Sequence, residues 1–171
     1  MIVPGRAGSR RWWAGKVRRF RAYLGARVAP GERSALAGWL TPAQVAVFDA
    51  MHVADRRHGL DVVVTLRAEG ITDPDVLLAG LLHDAGKGDV GVVPRIVHSL
   101  SQAYGAWLPT LVRPLPGMTE SLERLETHPE RSAILASAAG CAPRTVELIR
   151  WQEAPRDPEF GESLRLADEA N

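Results

Sequence analysis

Apolar residues recur through most of the chain at the three- and four-residue spacing of amphipathic helices. Helix-start patterns, in which a capping side chain precedes a proline, occur at Thr41-Pro42, Asp73-Pro74 and Asp157-Pro158. Convincing strand alternation is missing from the sequence. The pattern therefore predicts an all-α fold, a single-domain bundle of seven to nine helices.

The longest predicted helix begins after Thr41, where Gln44 completes a capping box, and continues to about Glu69. A second long amphipathic helix is predicted over residues 92–112, and a short one over residues 34–40. We expect Pro30-Gly31 to interrupt the chain before the short helix.

The segment from Val76 to Leu82 is apolar on nearly all sides, which predicts a helix at the centre of the bundle. His83 and Asp84 follow it directly. Burying a carboxylate without a partner costs roughly several kcal/mol of folding free energy, so we expect Asp84 to have a partner. A divalent cation suits adjacent imidazole and carboxylate groups. The alternative is that both residues cap the helix and face solvent.

His58 shares a helical face with the apolar positions of the 41–69 helix, since a helix turns about 100° per residue. It therefore faces the core. A single histidine on a core face is either a hydrogen-bonded structural residue or a ligand, and the His83-Asp84 pair downstream favours the ligand.

Positive charge is concentrated at the start of the chain, where residues 1–33 hold nine Lys/Arg and one acid, Glu32. The net charge is +1, so this +8 leaves −7 for the remainder. We predict a basic N-terminal arm over residues 1–33, with a helix over 10–28, and a helical domain over 34–171. The arm either binds nucleic acid or an anionic membrane, or docks its aromatic residues on the body while its arginines pair with acids.

Cys141 is the single cysteine, which suits a reducing compartment. The sequence has no apolar run of transmembrane length and lacks the apolar centre of a signal peptide. We therefore expect a cytoplasmic location.

The order of these polar residues resembles the HD-domain superfamily of metal-dependent phosphohydrolases. The resemblance covers about residues 47–171, the HD-like part of the predicted domain. Three segments carry it: Arg57-His58-Gly59-Leu60-Asp61-Val62, Leu81-Leu82-His83-Asp84-Ala85-Gly86-Lys87 and Leu166-Ala167-Asp168.

The resemblance implies that His58, His83, Asp84 and Asp168 bind one divalent metal ion, which could be Mn²⁺, Fe²⁺, Co²⁺, Ni²⁺ or Zn²⁺. Asp84 and Lys87 are then the catalytic candidates. Candidate substrate-binding residues, which would hold phosphate oxygens, are Lys87, His128 and Arg57. Lys87 could equally be a solvated loop residue, and His128 a solvated helix-start residue.

Two-metal members of the superfamily add two histidines between the His-Asp pair and the last aspartate. His128 resembles the first, but Gln152 stands where the second is expected, and glutamine binds transition metals poorly beside imidazole. We therefore expect one metal, with His128 contacting substrate or supporting a ligand. Alternatively, Glu153 could serve as a ligand at a second metal site.

The implied activity is hydrolysis of a phosphomonoester or phosphodiester, nucleotide-like in character, by metal-activated water. One alternative is a regulatory module that binds nucleotide or metal without turnover. Another is a protein that associates with nucleic acid or membrane through its basic N-terminal helix.

Overall fold

The computed structural model describes residues 25–105 and 107–171, and the predicted helix over residues 10–28 lies almost entirely outside them. The described residues are all α-helical apart from turns and one 3₁₀ helix, which confirms the predicted all-α class. Their helices form two compact units, and the chain of the larger one is interrupted by the smaller one. The division predicted at residue 33 stays a prediction.

The larger unit comprises Ala26–Asp89 and Thr127–Asn171. Its helices are α1 (Pro30–Leu36), α2 (Pro42–Ala50), α3 (Val53–Ala68), α4 (Pro74–Leu82), α8 (His128–Ala138), α9 (Pro143–Arg150) and α10 (Gly161–Ala170), with a 3₁₀ helix at Ala85–Lys87. The smaller unit includes Val90–Glu126 and holds α5 (Val92–Tyr104), α6 (Trp107–Val112) and α7 (Met118–Glu126).

Helix α4 is the central element of the larger unit, as its sequence predicts. Every residue from Val76 to Leu82 is buried, and α2, α3, α9 and α10 pack around the helix. At its start, the Asp73 carboxylate accepts a hydrogen bond from the Asp75 backbone N–H. Its end delivers His83 and Asp84 into the interior.

The described residues contain ten α-helices because two predicted helices are each divided. The predicted 41–69 helix stops at Ala50, where Met51 is extended, and restarts at Val53. His52 causes the restart, since its Nδ1 accepts a hydrogen bond from the Ala54 N–H. The capping box of Thr41 and Gln44 is confirmed.

The predicted 92–112 helix ends at Tyr104 because Gly105 takes a φ of +103°, which a helix cannot continue through. The expected break at Pro30 was also wrong. Pro30 is the first residue of α1, a position where its missing N–H costs nothing, and the Glu32 carboxylate accepts a hydrogen bond from the Ala29 N–H.

Among the described helices, none combines the length and apolar character needed to cross a membrane. The core of the larger unit includes the buried side chains of Phe48, Val62, Leu66, Leu81 and Leu164, which come from four of its helices.

Candidate metal centre

Two close helix contacts bring the polar residues together. A Cβ on Gly59 would lie 2.4 Å from the Leu81 carbonyl oxygen, so only glycine lets α3 pack this closely on α4 beside His58. A Cβ on Gly86 would lie 2.5 Å from the His128 carbonyl oxygen, so the 3₁₀ helix needs glycine against the first turn of α8. The Gly86 N–H also donates to Ser132 Oγ at 2.8 Å.

Three of the four predicted ligands form one group in the structure. Atoms of His58, His83 and Asp168 that can bind a metal all lie within 4.8 Å of one another. His58 Nε2 is 2.8 Å from Asp168 Oδ1, and His83 Nε2 is 3.5 Å from the same oxygen. The rings of His58 and His83 meet edge to face with centroids 5.1 Å apart.

Asp84, the fourth predicted ligand, lies beside this group. Its Oδ1 is 3.5 Å from His83 Nε2 and 3.5 Å from His128 Nε2, while its Oδ2 accepts a 2.5 Å contact from Lys87 Nζ. Asp84 is therefore shared by His83 on one side, His128 on another and the lysine ammonium.

The tautomer of His83 defines which atom faces the carboxylates. Its Nδ1 lies 2.9 Å from the Gly80 carbonyl oxygen, which can only accept, so Nδ1 carries a proton. In the neutral ring Nε2 then presents a lone pair. Both His83 Nε2 and Asp84 Oδ1 are buried without a hydrogen-bond partner among the residues that the structure describes.

A lone pair aimed at carboxylate oxygens requires a cation between them, either a proton on His83 or a metal ion. Burial alone would lower the pKa of His83, but Asp84 and Asp168 outweigh it and raise that pKa to about 9. Burial would raise the pKa of both carboxylates, but the histidines hold the pKa of the buried Asp84 and of the partly exposed Asp168 well below the usual range, with Lys87 also acting on Asp84 and His58 on Asp168. The carboxylates of the cluster therefore favour an additional positive charge, either a proton on His83 or a metal ion.

The separations also suit a metal ion. Ligand atoms about 2.1 Å from a zinc-like ion lie about 3.0 Å apart at a right angle and about 3.4 Å apart at a tetrahedral angle. Three pairs of candidate ligand atoms lie at such distances, namely His58 Nε2 and Asp168 Oδ1 at 2.8 Å and His83 Nε2 at 3.5 Å from both Asp84 Oδ1 and Asp168 Oδ1. Two imidazole nitrogens and carboxylate oxygens are donors that first-row divalent ions accept. The residues present therefore fit the metal that the sequence predicts.

Exposure differs across the cluster and shows from which side a ligand would enter. The side chains of His58 and Asp168 are 23% and 42% exposed, whereas those of His83 and Asp84 are 3% and 2% exposed. A substrate would meet the His58–Asp168 side first.

Lys87 is paired with Asp84 and is not a freely solvated loop lysine. Burial alone would lower the pKa of Lys87, but Asp84 and then Asp55 raise it above the usual value. The buried Asp55 was not among the predicted site residues. Its position three residues before His58 on α3 is the pattern that could have indicated it.

The other predicted site residues lie on different sides of the cluster. His128 is buried at the start of α8, so the alternative of a solvated His128 is wrong, and its Nε2 lies 3.0 Å from Gln152 Nε2.

Arg57 forms ion pairs with Glu32 at 2.7 Å and Asp61 at 2.8 Å, outside the cluster. Substrate-binding roles for His128, Arg57 and Lys87 stay predictions.

Comparison of the chain with models of protein families, with curated proteins and with solved structures gives no match in any of the three. The assignment of a function therefore depends on the residues and the geometry of the cluster.

Proposed function

We propose that the chain is a metal-dependent phosphohydrolase of the HD type, acting on a phosphomonoester or phosphodiester, nucleotide-like in character. The observation that carries the proposal is the His83 Nε2 atom, buried without a hydrogen-bond partner among the described residues and 3.5 Å from both Asp84 Oδ1 and Asp168 Oδ1. One divalent cation that binds the imidazole and the carboxylates would stabilise such a site most.

His58, His83 and Asp168, together with Asp84, would hold the metal. A divalent ion bound there supplies Lewis-acid polarisation of a phosphoryl oxygen and lowers the pKa of water. The protein's own residues orient these donors. The Gly80 carbonyl fixes the His83 ring through Nδ1, and Lys87 fixes Asp84 through Oδ2.

Phosphoryl transfer depends mainly on positioning and on stabilising negative charge. Lys87 places a positive charge beside the carboxylate of Asp84, one of the proposed metal ligands. The more exposed side, at His58 and Asp168, is where a phosphate group would approach. Asp84 stays ionised because its pKa is held low, so it can keep a cation or a water proton in place.

The test combines metal analysis with hydrolysis. The purified chain is loaded with Mn²⁺, Co²⁺, Ni²⁺ or Zn²⁺, its metal content is measured, and aryl phosphate, bis-aryl phosphate and nucleotides are offered. We expect one metal per chain and hydrolysis that Asp84→Asn slows roughly 10³-fold. Asp49→Asn is the matched control, because Asp49 is a surface carboxylate paired with Arg33.

A loaded chain that hydrolyses nothing in this panel would overturn the proposed activity. If nucleotides then raise its melting temperature without product formation, the chain is a binding module. If metal content stays far below one per chain at saturating metal, the metal site itself is wrong.

A further inference from the structure

Two buried oxygen atoms beside His128 accept no hydrogen bond from the described residues. They are Gln152 Oε1 and Asp84 Oδ1. Buried polar atoms in folded proteins nearly always have a hydrogen-bond partner, so we expect a donor other than these residues to reach them. Asp84 Oδ1 is part of the candidate metal centre, whereas Gln152 Oε1 has no role there.

The other end of the Gln152 amide is fixed by His128. Gln152 Nε2 lies 3.0 Å from His128 Nε2, and an amide nitrogen can only donate, so the ring nitrogen accepts. The neutral His128 ring then carries its proton on Nδ1. Because the ring holds the amide nitrogen, this contact also sets the direction of Gln152 Oε1.

The same imidazole connects the amide to a proposed metal ligand. His128 Nε2 lies 3.5 Å from Asp84 Oδ1 as well as 3.0 Å from the amide nitrogen of Gln152. Because this nitrogen already accepts from Gln152, it has no proton to offer Asp84. The His128 side of the cluster therefore presents acceptor atoms that call for a donor, and the amide among them is neutral.

Burial limits the size of that donor. Asp84, Gln152 and His128 are only 2%, 6% and 7% exposed. A phosphate group would approach on the more exposed side of the cluster, at His58 and Asp168. The larger groups of a substrate would stay on that side, so the donor that reaches Gln152 is a small one, and water is the smallest.

We propose a role for this amide that rests on the proposed phosphohydrolase function: Gln152 orients the water molecule that attacks phosphorus, and His128 positions the amide. The water donates one hydrogen bond to Gln152 Oε1, which leaves its lone pair free to face the phosphate. A glutamine amide can orient attacking water in phosphoryl transfer without exchanging a proton with it.

The step balances without a charge on Gln152. The water oxygen forms a bond to phosphorus while the ester P–O bond breaks, and the departing oxygen keeps the electron pair of that bond. The water loses one proton and the departing oxygen gains one. Gln152 stays neutral throughout, so its contribution is to orientation alone.

The variant Gln152→Leu in the full, metal-loaded chain tests the proposal, because leucine has no hydrogen-bonding group. For whichever phosphate ester the chain hydrolyses, we expect kcat to fall roughly 10²-fold, the cost of a misplaced reactant. KM, metal content and the Kd for inorganic phosphate should stay unchanged, because the metal ligands and the exposed side of the cluster are intact.

The matched control is Thr145→Val, which removes another buried hydrogen bond of the same region. Thr145 lies on α9, two residues before its last turn begins to lead to Gln152, and its Oγ1 donates to Asp75 Oδ1 at 2.8 Å, at the start of α4. This variant should keep kcat. An equal fall of kcat in both variants would overturn the proposal, since it would reflect lost stability.

The tautomer of His128 supplies a measurement that does not depend on activity or on the folding of a Gln152 variant. In the nitrogen-labelled original chain, NMR should show His128 with its proton on Nδ1 and none on Nε2. The His128 signals are assigned by their loss in His128→Gln. A proton on Nε2 would overturn the positioning of the amide by His128.

The remaining outcomes separate this role from the proposed function. An unchanged kcat in Gln152→Leu, beside an active original chain, would overturn the role of Gln152 and leave the hydrolase function standing. A raised KM with unchanged kcat would also overturn it, and would identify the donor as a group of the substrate. An original chain that hydrolyses no phosphate ester would overturn both.

Discussion

The polar cluster of the larger unit has two sides, and the carboxylate of Asp84 takes part in both. On one side, His83 Nε2 lies 3.5 Å from Asp84 Oδ1, and this nitrogen has no hydrogen-bond partner within the described part of the chain. On the other side, His128 Nε2 lies at the same 3.5 Å from the same oxygen, but Gln152 contacts it at 3.0 Å. Equal distances thus produce chemically different sites.

The two sides differ in the residues that accompany each histidine. His83 is joined by His58 and the charged Asp168, which adds donors and negative charge. His128 is joined by a neutral amide, and Lys87 already balances the charge of Asp84. The first side therefore suits a further cation better than the second side does, which supports the proposal of a single metal.

The largest expected effect follows from removing charge on the His83 side. Asp84→Asn keeps the side-chain shape but removes a ligand charge, and the loss of several kcal/mol of charge stabilisation corresponds to roughly 10³-fold in rate. Metal content should fall in parallel. Because Asp84 is buried and paired, the variant should also lose about 3 kcal/mol of unfolding free energy.

Asp168→Asn separates these two effects. Its side chain is 42% exposed, so the change should cost less unfolding free energy than Asp84→Asn does, while metal content and hydrolysis both fall. Metal content is measured by elemental analysis, and stability by urea denaturation. A fully active, fully loaded Asp168→Asn variant would contradict the assignment of Asp168 as a ligand.

The second prediction concerns pH in the chelator-treated chain. His83 has its pKa raised from 6.5 to about 9, so its contribution to stability is complete below pH 6.5 and is lost as pH rises through 9. The expected loss is about 3 kcal/mol. Asp84 and Asp168 have lowered pKa values, so their contribution exists above about pH 4 and is lost on acidification.

Urea denaturation at about pH 6 and about pH 9.5, on either side of the raised pKa, measures this loss. Bound metal should reduce it, because the metal replaces the proton on His83 as the balancing charge. His98→Gln serves as a control, since His98 lies on α5, in the smaller unit. An equal alkaline loss in the chelated and the metal-loaded chain would contradict a role for metal at His83.

The sequence predicts the helical class and the central position of α4, because caps and a continuous apolar run are local properties. The division at Met51–His52 was not predictable, since it depends on which hydrogen bond the His52 ring makes. The end of α5 at Gly105 likewise depends on a backbone angle that glycine permits but does not require.

For the site, the core face of His58 and the His83-Asp84 pair indicated His58, His83 and Asp84 as candidate ligands, whereas Asp168 was expected only from the resemblance to the HD-domain superfamily. The structure brings His58, His83 and Asp168 together. The pairing of Lys87 with Asp84 and the burial of His128 could not be predicted from spacing. Both depend on the contact of Gly86 with the first turn of α8, which is a tertiary contact between segments far apart in sequence.

The third prediction tests the charge that Lys87 gives to Asp84. Lys87→Met leaves the buried carboxylate without its nearest cation, and the unfolding free energy of the chelated chain, measured by urea denaturation, should fall by about 3 kcal/mol. Adding metal should recover part of this, because the metal supplies another cation. The matched control is Lys87→Arg, which keeps the charge and should lose less stability. Equal losses in the two variants would show that packing, and not charge, is the role of Lys87.

The smallest expected effect follows from giving the His128 side of the cluster a second imidazole, as the His83 side has. Gln152→His would place another imidazole beside His128 and Asp84, giving a donor set of the kind that binds divalent ions. Metal content at saturation should rise from one to two per chain, with the second ion bound weakly because Lys87 repels it. Gln152→Leu, which adds no donor, is the control and should keep one metal. If Gln152→His also keeps one, two metals in the double variant with Lys87→Met would show that the ammonium excludes the second ion, whereas one metal would contradict a second site at His128.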